Sequence, residues 1–187
     1  MKIALFGGTF DPIHNAHLRI AREAARQLSL DRVLFVPAAR PPHKSGVTHA
    51  PYEDRYRMVE LACGGEPLFE ASRLEHGEKN SYSIDTIERV RASPGDHELF
   101  FLIGADAFAE IQTWHRWREV IASVDLIVVS RPGGKYEVPE GARVHRLEGI
   151  GLEVSSSDIR RRLAAGEHRV EVPPAVLVYI REHGLYC

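Results

Sequence analysis

The sequence predicts an α/β fold with a doubly wound, mostly parallel sheet, on the strength of three observations. Short apolar runs recur at Ile3–Phe6, Val33–Val36, Leu68–Ala71, Leu99–Ile103 and Leu126–Val129. Several lack polar alternation, as strands buried on both faces of a parallel sheet do. Helical patterns separate these runs, and strand–helix alternation marks right-handed crossover units. The chemically distinctive residues also gather just after the runs, in Gly7–Asp11, Pro37–Lys44, Gly104–Asp106 and Ser130–Arg131. Open α/β sheets bind ligands at the carboxyl ends of their strands.

Each element has a local reason. Ile3–Phe6 leads into Gly7-Gly8, and the next segment carries an apolar stripe of Leu18, Ala21, Ala25 and Leu28 opposite Arg19, Arg22, Glu23 and Arg26. That spacing is one face of a helix. Tyr52–Ala62 follows Pro51, a favoured residue at a helix start, and Ile84–Arg91 follows Ser83, a natural N-cap. Ser155-Ser-Ser-Asp-Ile-Arg160 opens a helix that Gly166 stops, and Pro173-Pro174 opens the last helix, with Gly184 as its C′ residue. Residues 155–187 are therefore expected as the helical C-terminal part of one domain spanning 1–187, with no internal repeat and no long linker.

Bulk properties narrow the function. A length of 187 residues suits a single domain with a sizeable core. The net charge of -2 argues against a nucleic-acid-binding protein, so anion binding must be local. Cys63 and Cys187 are far apart and in no metal-type spacing, which fits a reducing compartment. No signal peptide and no membrane span is read from the sequence, so a cytoplasmic location is expected. The sequence leaves homo-oligomerisation open.

Four constellations carry chemistry. Gly7 and Gly8 allow close backbone approach, and the helix that follows offers unpaired amides to an anion. His14 and His17 head that helix, with Cβ atoms expected about 5–6 Å apart. The dinucleotide fingerprint and the P-loop pattern are both absent. Zinc is the competing reading of the pair, but no third ligand is evident. Ser155, Ser156 and Ser157 at a helix start, with Arg160 one turn on, suit a triphosphate; the plainer alternative is a capped helix with a solvated arginine. Pro41-Pro-His43-Lys44 is a stiff loop ending in a cation, or an ordinary surface loop. Ser81-Tyr-Ser-Ile-Asp-Thr86 and Thr113-Trp-His-Arg-Trp117 combine a helix start with aromatic rings, which suits a flat heterocycle bearing a carboxylate; a core Trp beside a capped helix is the alternative.

Gly7-Gly-Thr-Phe-Asp-Pro-Ile-His-Asn-Ala-His17 resembles the His-x-Gly-His signature of the nucleotidylyltransferase superfamily, and Val154-Ser-Ser-Ser-Asp-Ile-Arg160 resembles its second signature. Pro41–Lys44, Ser81–Thr86, Ile103–Phe108, Trp114 and Val172–Tyr186 are similar to the bacterial nicotinate-nucleotide adenylyltransferase family, so the resemblance runs nearly end to end. Three departures stand out: Ala16 for glycine, and Ser157 and Ser83 for threonine. A methyl group at Ala16 is expected to crowd a phosphate approaching the backbone.

The resemblance implies a Rossmann-like nucleotidyltransferase fold and transfer of AMP from Mg-ATP to nicotinate mononucleotide. The cofactor it implies is Mg²⁺ carried with ATP, with no protein metal site. His14, His17, Lys44 and Arg160 would act on the phosphates. Gly7, Gly8, Thr9, Phe10, Asp106, Ser155, Ser156 and Ser157 would bind ATP, and Tyr82, Ser83 and Trp114 would bind the nicotinate nucleotide. The rival enzyme reading is pantetheine-phosphate adenylyltransferase; the rival of another class is a non-catalytic adenine-nucleotide binding module.

Overall fold

The computed structural model describes residues 1–40, 48–78, 80–150 and 153–187. Six strands, β1 (Lys2–Gly8), β2 (Arg32–Pro37), β3 (Phe69–Ala71), β4 (Glu98–Gly104), β5 (Asp125–Ser130) and β6 (Val144–Glu148), form one sheet in the order β3-β2-β1-β4-β5-β6. Every neighbouring pair is parallel, so the sheet is wholly rather than mostly parallel among the described residues. Among the described residues seven α-helices accompany it, α1 (Asn15–Leu28), α2 (Tyr52–Cys63), α3 (Ser83–Arg91), α4 (Ala105–Ala109), α5 (Trp117–Ser123), α6 (Ser156–Ala164) and α7 (Pro174–Glu182), with a 3-10 turn at Ile111–Thr113.

Strand periodicity divides the core into two layers. Ala4 and Phe6 of β1 enter one apolar cluster with α1, α2, α6 and α7; Ile3 and Leu5 enter the other with α3 and α5. β1 is thus buried on both faces, which explains its unalternated apolar run. The C-terminal helices are fastened to the first layer: Ile159, Val176 and Ile180 are core residues, and the Tyr179 hydroxyl donates to Asp54 on α2 at 2.8 Å.

Two local expectations change. β6, absent from the apolar runs, lies at the sheet edge, where only Leu147 of its five residues is buried. Ser83 is the first helical residue of α3, with Tyr82 at the N-cap. Ser155 does cap α6, its hydroxyl accepting from the Asp158 amide at 3.1 Å.

The topology positions the site. The chain winds from β1 outward through β2 and β3, then returns past β1 to β4 and winds the other way. The carboxyl ends of β1 and β4 flank the resulting crevice, where open α/β sheets bind ligands.

Candidate active site

At the end of β1 the glycine pair has unequal roles. A Cβ on Gly8 would lie 2.9 Å from the Phe10 ring, whereas one on Gly7 would meet Phe101 at an ordinary 3.7 Å. Gly8 therefore makes room for Phe10, whose backbone is left-handed (φ 49°). Phe10 was expected to line the ATP approach. Its side chain is instead 2% exposed, packed edge-on against Phe6 and His17 with ring centroids 5.6 and 5.1 Å apart. It shapes the turn from beneath.

That packing carries the histidines. The His14 and His17 rings stack with centroids 3.7 Å apart, closer than separate helix faces would place them. The His14 amide donates to His17 Nδ1 at 3.1 Å, which fixes a neutral His17 ring with its proton on Nε2. His14 is 5% exposed, and its Nδ1 is buried without a hydrogen-bond partner. Burial pushes the His14 pKa down to about 4, against a smaller opposite pull from Glu171. His14 is therefore a neutral dipole at pH 7. Ala16 is buried in the first turn of α1, between the two histidines.

Two cavities open near this turn. One of 620 Å³ lies at the β1–β4 crevice and gathers Gly7, Gly8 and Thr9 with Tyr82, Ser83 and Trp114. Trp114 is braced edge-on by Phe101, with centroids 6.0 Å apart, and Tyr82 packs against His115 at 4.4 Å. The α3 amides nearest its start lack helical acceptors, so Tyr82 and Ser83 border a local positive pole. Gly104 and Ala107 also line this cavity; Asp106 between them is exposed and does not.

The second cavity, of 490 Å³, gathers Ser157 and Arg160 with His49, Arg161 and Tyr186. Arg160 donates to the Asp11 carbonyl at 2.7 Å and to Ser157 Oγ at 3.2 Å, while Ser156 Oγ donates to the Pro12 carbonyl at 3.0 Å. The α6 start is thereby bolted to the turn that bears the histidines. His14, His17, Ser155 and Ser156 line neither cavity themselves. Lys44, with the rest of Pro41–Lys44, lies outside the described residues.

Several supporting residues escaped the sequence reading. Arg55 on α2 is 1% exposed and donates to the Thr9 carbonyl at 2.7 Å and the Ala50 carbonyl at 3.2 Å. Burial holds its pKa below the usual guanidinium range, with Asp11 opposing the shift. Glu75 is a buried carboxylate lining the larger cavity, and it accepts from Thr86 Oγ1 at 2.8 Å. Burial raises its pKa, while hydrogen bonds from Ser81, Thr86 and the Ala39 amide pull it back. Neither residue lies in a motif that marks it; Arg55 reads as one more charge on a helix face.

Known proteins place these features. The sequence profile of the cytidylyltransferase-like family matches residues 5–162. A Solibacter usitatus protein named probable nicotinate-nucleotide adenylyltransferase is 62% identical over all of both chains, and a Thermus thermophilus protein of the same name is 47% identical, also over all of both. The structure titled Plasmodium falciparum nicotinic acid mononucleotide adenylyltransferase complexed with NaAD superposes with a TM-score of 0.80, covering 99% of this chain and 97% of that one. At 19% identity that likeness bears on the fold. The chain belongs to the cytidylyltransferase-like family and, within it, to the nicotinate-nucleotide adenylyltransferases.

Proposed function

We propose that this chain transfers the adenylyl group of Mg-ATP to nicotinate mononucleotide, giving deamido-NAD and pyrophosphate, a step of NAD biosynthesis. The observation that carries the reading is the 620 Å³ cavity, which brings the β1 glycine turn together with the α3 start and Trp114. A nicotinate ring stacks on Trp114 there, and its carboxylate meets the α3 amides beside Tyr82 and Ser83. The names of the close relatives support the same substrates.

A phosphate oxygen of nicotinate mononucleotide attacks the α-phosphorus of ATP in line, and the bond to the bridging oxygen of pyrophosphate breaks. That phosphate is already ionised at neutral pH, so no general base is needed. Catalysis is positioning and charge stabilisation. His14 and His17 act as neutral hydrogen-bonding dipoles toward the transferred phosphoryl group rather than as paired cations, and Lys44 and Arg160 supply positive charge. Ser155, Ser156 and Ser157, with the α6 amides, hold the triphosphate; Gly7, Gly8 and Thr9 line its path. Phe10 serves ATP through the turn it supports, and Asp106 meets the ribose from the rim of the larger cavity.

Magnesium carried with ATP would neutralise phosphate oxygens, beside the charge that Arg160 supplies. The arginine and hydroxyl donors near α6 suit phosphate better than a metal ion, and among the described residues no group of three or more His, Cys, Asp or Glu converges to hold one. The chain works as one domain, since α6 and α7 share the core of the sheet. No helix among the described residues is long and apolar enough to cross a membrane. The net charge of -2 supports action on small nucleotides rather than on nucleic acid, and a cytoplasmic location belongs to the same reading.

The test is pyrophosphate release from Mg-ATP with nicotinate mononucleotide, nicotinamide mononucleotide or phosphopantetheine. Fastest release is expected with the first. Release with phosphopantetheine alone would identify the other transferase, and release with none would leave a binding module.

A further inference from the structure

We infer that Tyr186, acting through Asp11, is a positioning residue for the phosphate half of the site. The inference rests on the adenylyl-transfer reading. Asp11 stands between Phe10 and His14, is 3% exposed, and is the hub of the histidine turn. Its Oδ2 accepts from the His49 amide at 2.7 Å; its Oδ1 accepts from the Ala50 amide at 3.1 Å and from the Tyr186 hydroxyl at 2.6 Å. Its carbonyl takes the Arg160 guanidinium at 2.7 Å. One residue therefore joins the histidine turn, the segment after Thr48, the α6 arginine and the chain's last residues.

The geometry of the tail points to a specified contact. After α7, Gly184 turns the chain at φ 58°, and the Leu185 amide donates to the Ile180 carbonyl at 3.0 Å. Tyr186 then adopts φ 63°, a conformation a non-glycine side chain rarely takes unless its surroundings over-determine it. Its hydroxyl makes the shortest of the three bonds that Asp11's carboxylate receives. Burial and the facing carboxylate both keep the phenol protonated, so it remains a donor. Tyr186 and Arg160 also line the same 490 Å³ cavity. Loss of the hydroxyl leaves Asp11 short of a donor in a buried place, and the carbonyl that aims Arg160 becomes free to shift. None of Asp11, His49, Ala50, Arg160 and Tyr186 lines the Trp114 cavity, and the network touches its edge at Thr9 only through Arg55, which donates to the Ala50 and Thr9 carbonyls.

The experiment compares the wild-type chain with Tyr186→Phe, which deletes one oxygen and keeps the ring. Asp11→Asn, which keeps Oδ1 as an acceptor for the phenol but sets an NH2 against the His49 N–H, is the harsher second variant and is expected to lose at least as much toward ATP. Thermal midpoints, steady-state constants for both substrates, and the affinity for a non-hydrolysable ATP analogue are measured on each. A misplaced phosphate donor costs up to about 100-fold. Tyr186→Phe is expected to lower kcat/KM for ATP at least about ten-fold and to weaken the analogue similarly, while KM for nicotinate mononucleotide stays within about two-fold. A lowered thermal midpoint with unchanged ATP constants would overturn the inference and leave Tyr186 a structural anchor. Equal losses toward both substrates would overturn it too. If the wild type shows no transfer, the proposed function fails, and analogue affinity still decides the role of Tyr186.

Discussion

Lowering the pH should unfold this protein partly through His14. In the folded chain its pKa is pushed down to about 4 by burial, against 6.5 when unfolded. Between those values the unfolded state binds the extra proton and the folded state does not, so stability rises with pH there and is lost as pH falls from about 6.5 toward 4. Complete titration across that interval is worth about 3 kcal/mol, and about 2 kcal/mol is already lost at pH 5. With a urea m-value of about 2 kcal/mol/M, this predicts a midpoint falling by about 1 M between pH 7 and pH 5 from His14 alone. Equilibrium urea unfolding of wild type and His14→Gln at both pH values isolates the effect, because other titrating groups cancel in the difference. The variant should lose about 1 M less than wild type across that interval. Parallel losses would refute a buried neutral His14.

Three further outcomes follow from the same geometry. His17→Ala should retain a near-wild-type thermal midpoint while kcat falls by about 100-fold or more, since its Nε2–H is aimed by the bond to Nδ1; near-normal turnover would remove it from the mechanism. Gly8→Ala pushes a methyl into the Phe10 ring at 2.9 Å and should cost about 1–3 kcal/mol in denaturant unfolding, whereas Gly7→Ala, at 3.7 Å from Phe101, should be far milder. Trp114→Ala should raise KM for nicotinate mononucleotide about ten-fold with KM for ATP little changed, a stacking loss of roughly 1.4 kcal/mol; an ATP effect of the same size would misplace the acceptor.

What could be read from the sequence was local. β1 announced itself because both of its faces are buried, and α1 because its apolar stripe is continuous. β6 did not, because Val144–Glu148 lies on the edge and only Leu147 carries core burial. The glycine turn, both histidines and the α6 serines were recognisable as motifs. What could not be read was how they are held. Asp11 meets partners 38, 149 and 175 residues away, a convergence that no spacing rule encodes. Phe10 looked like a ligand contact because it sits in the motif, yet the space behind Gly8 and the rings of Phe6 and Phe35 draw it into the core. Arg55 and Glu75 read as ordinary charges, and only burial against Thr9 and Thr86 gives them roles. The neutral state of His14 likewise depends on tertiary burial rather than on its neighbours in sequence.

In the proposed function the two cavities on either side of the histidine turn form one active site. A crystal structure of the chain with nicotinate mononucleotide and a non-hydrolysable ATP analogue tests this directly. The pyridine ring is predicted against Trp114 in the 620 Å³ cavity, its carboxylate at the start of α3, and the triphosphate between the His14–His17 turn and Arg160. A triphosphate bound away from both α1 and α6, or an acceptor outside the Trp114 cavity, would contradict it.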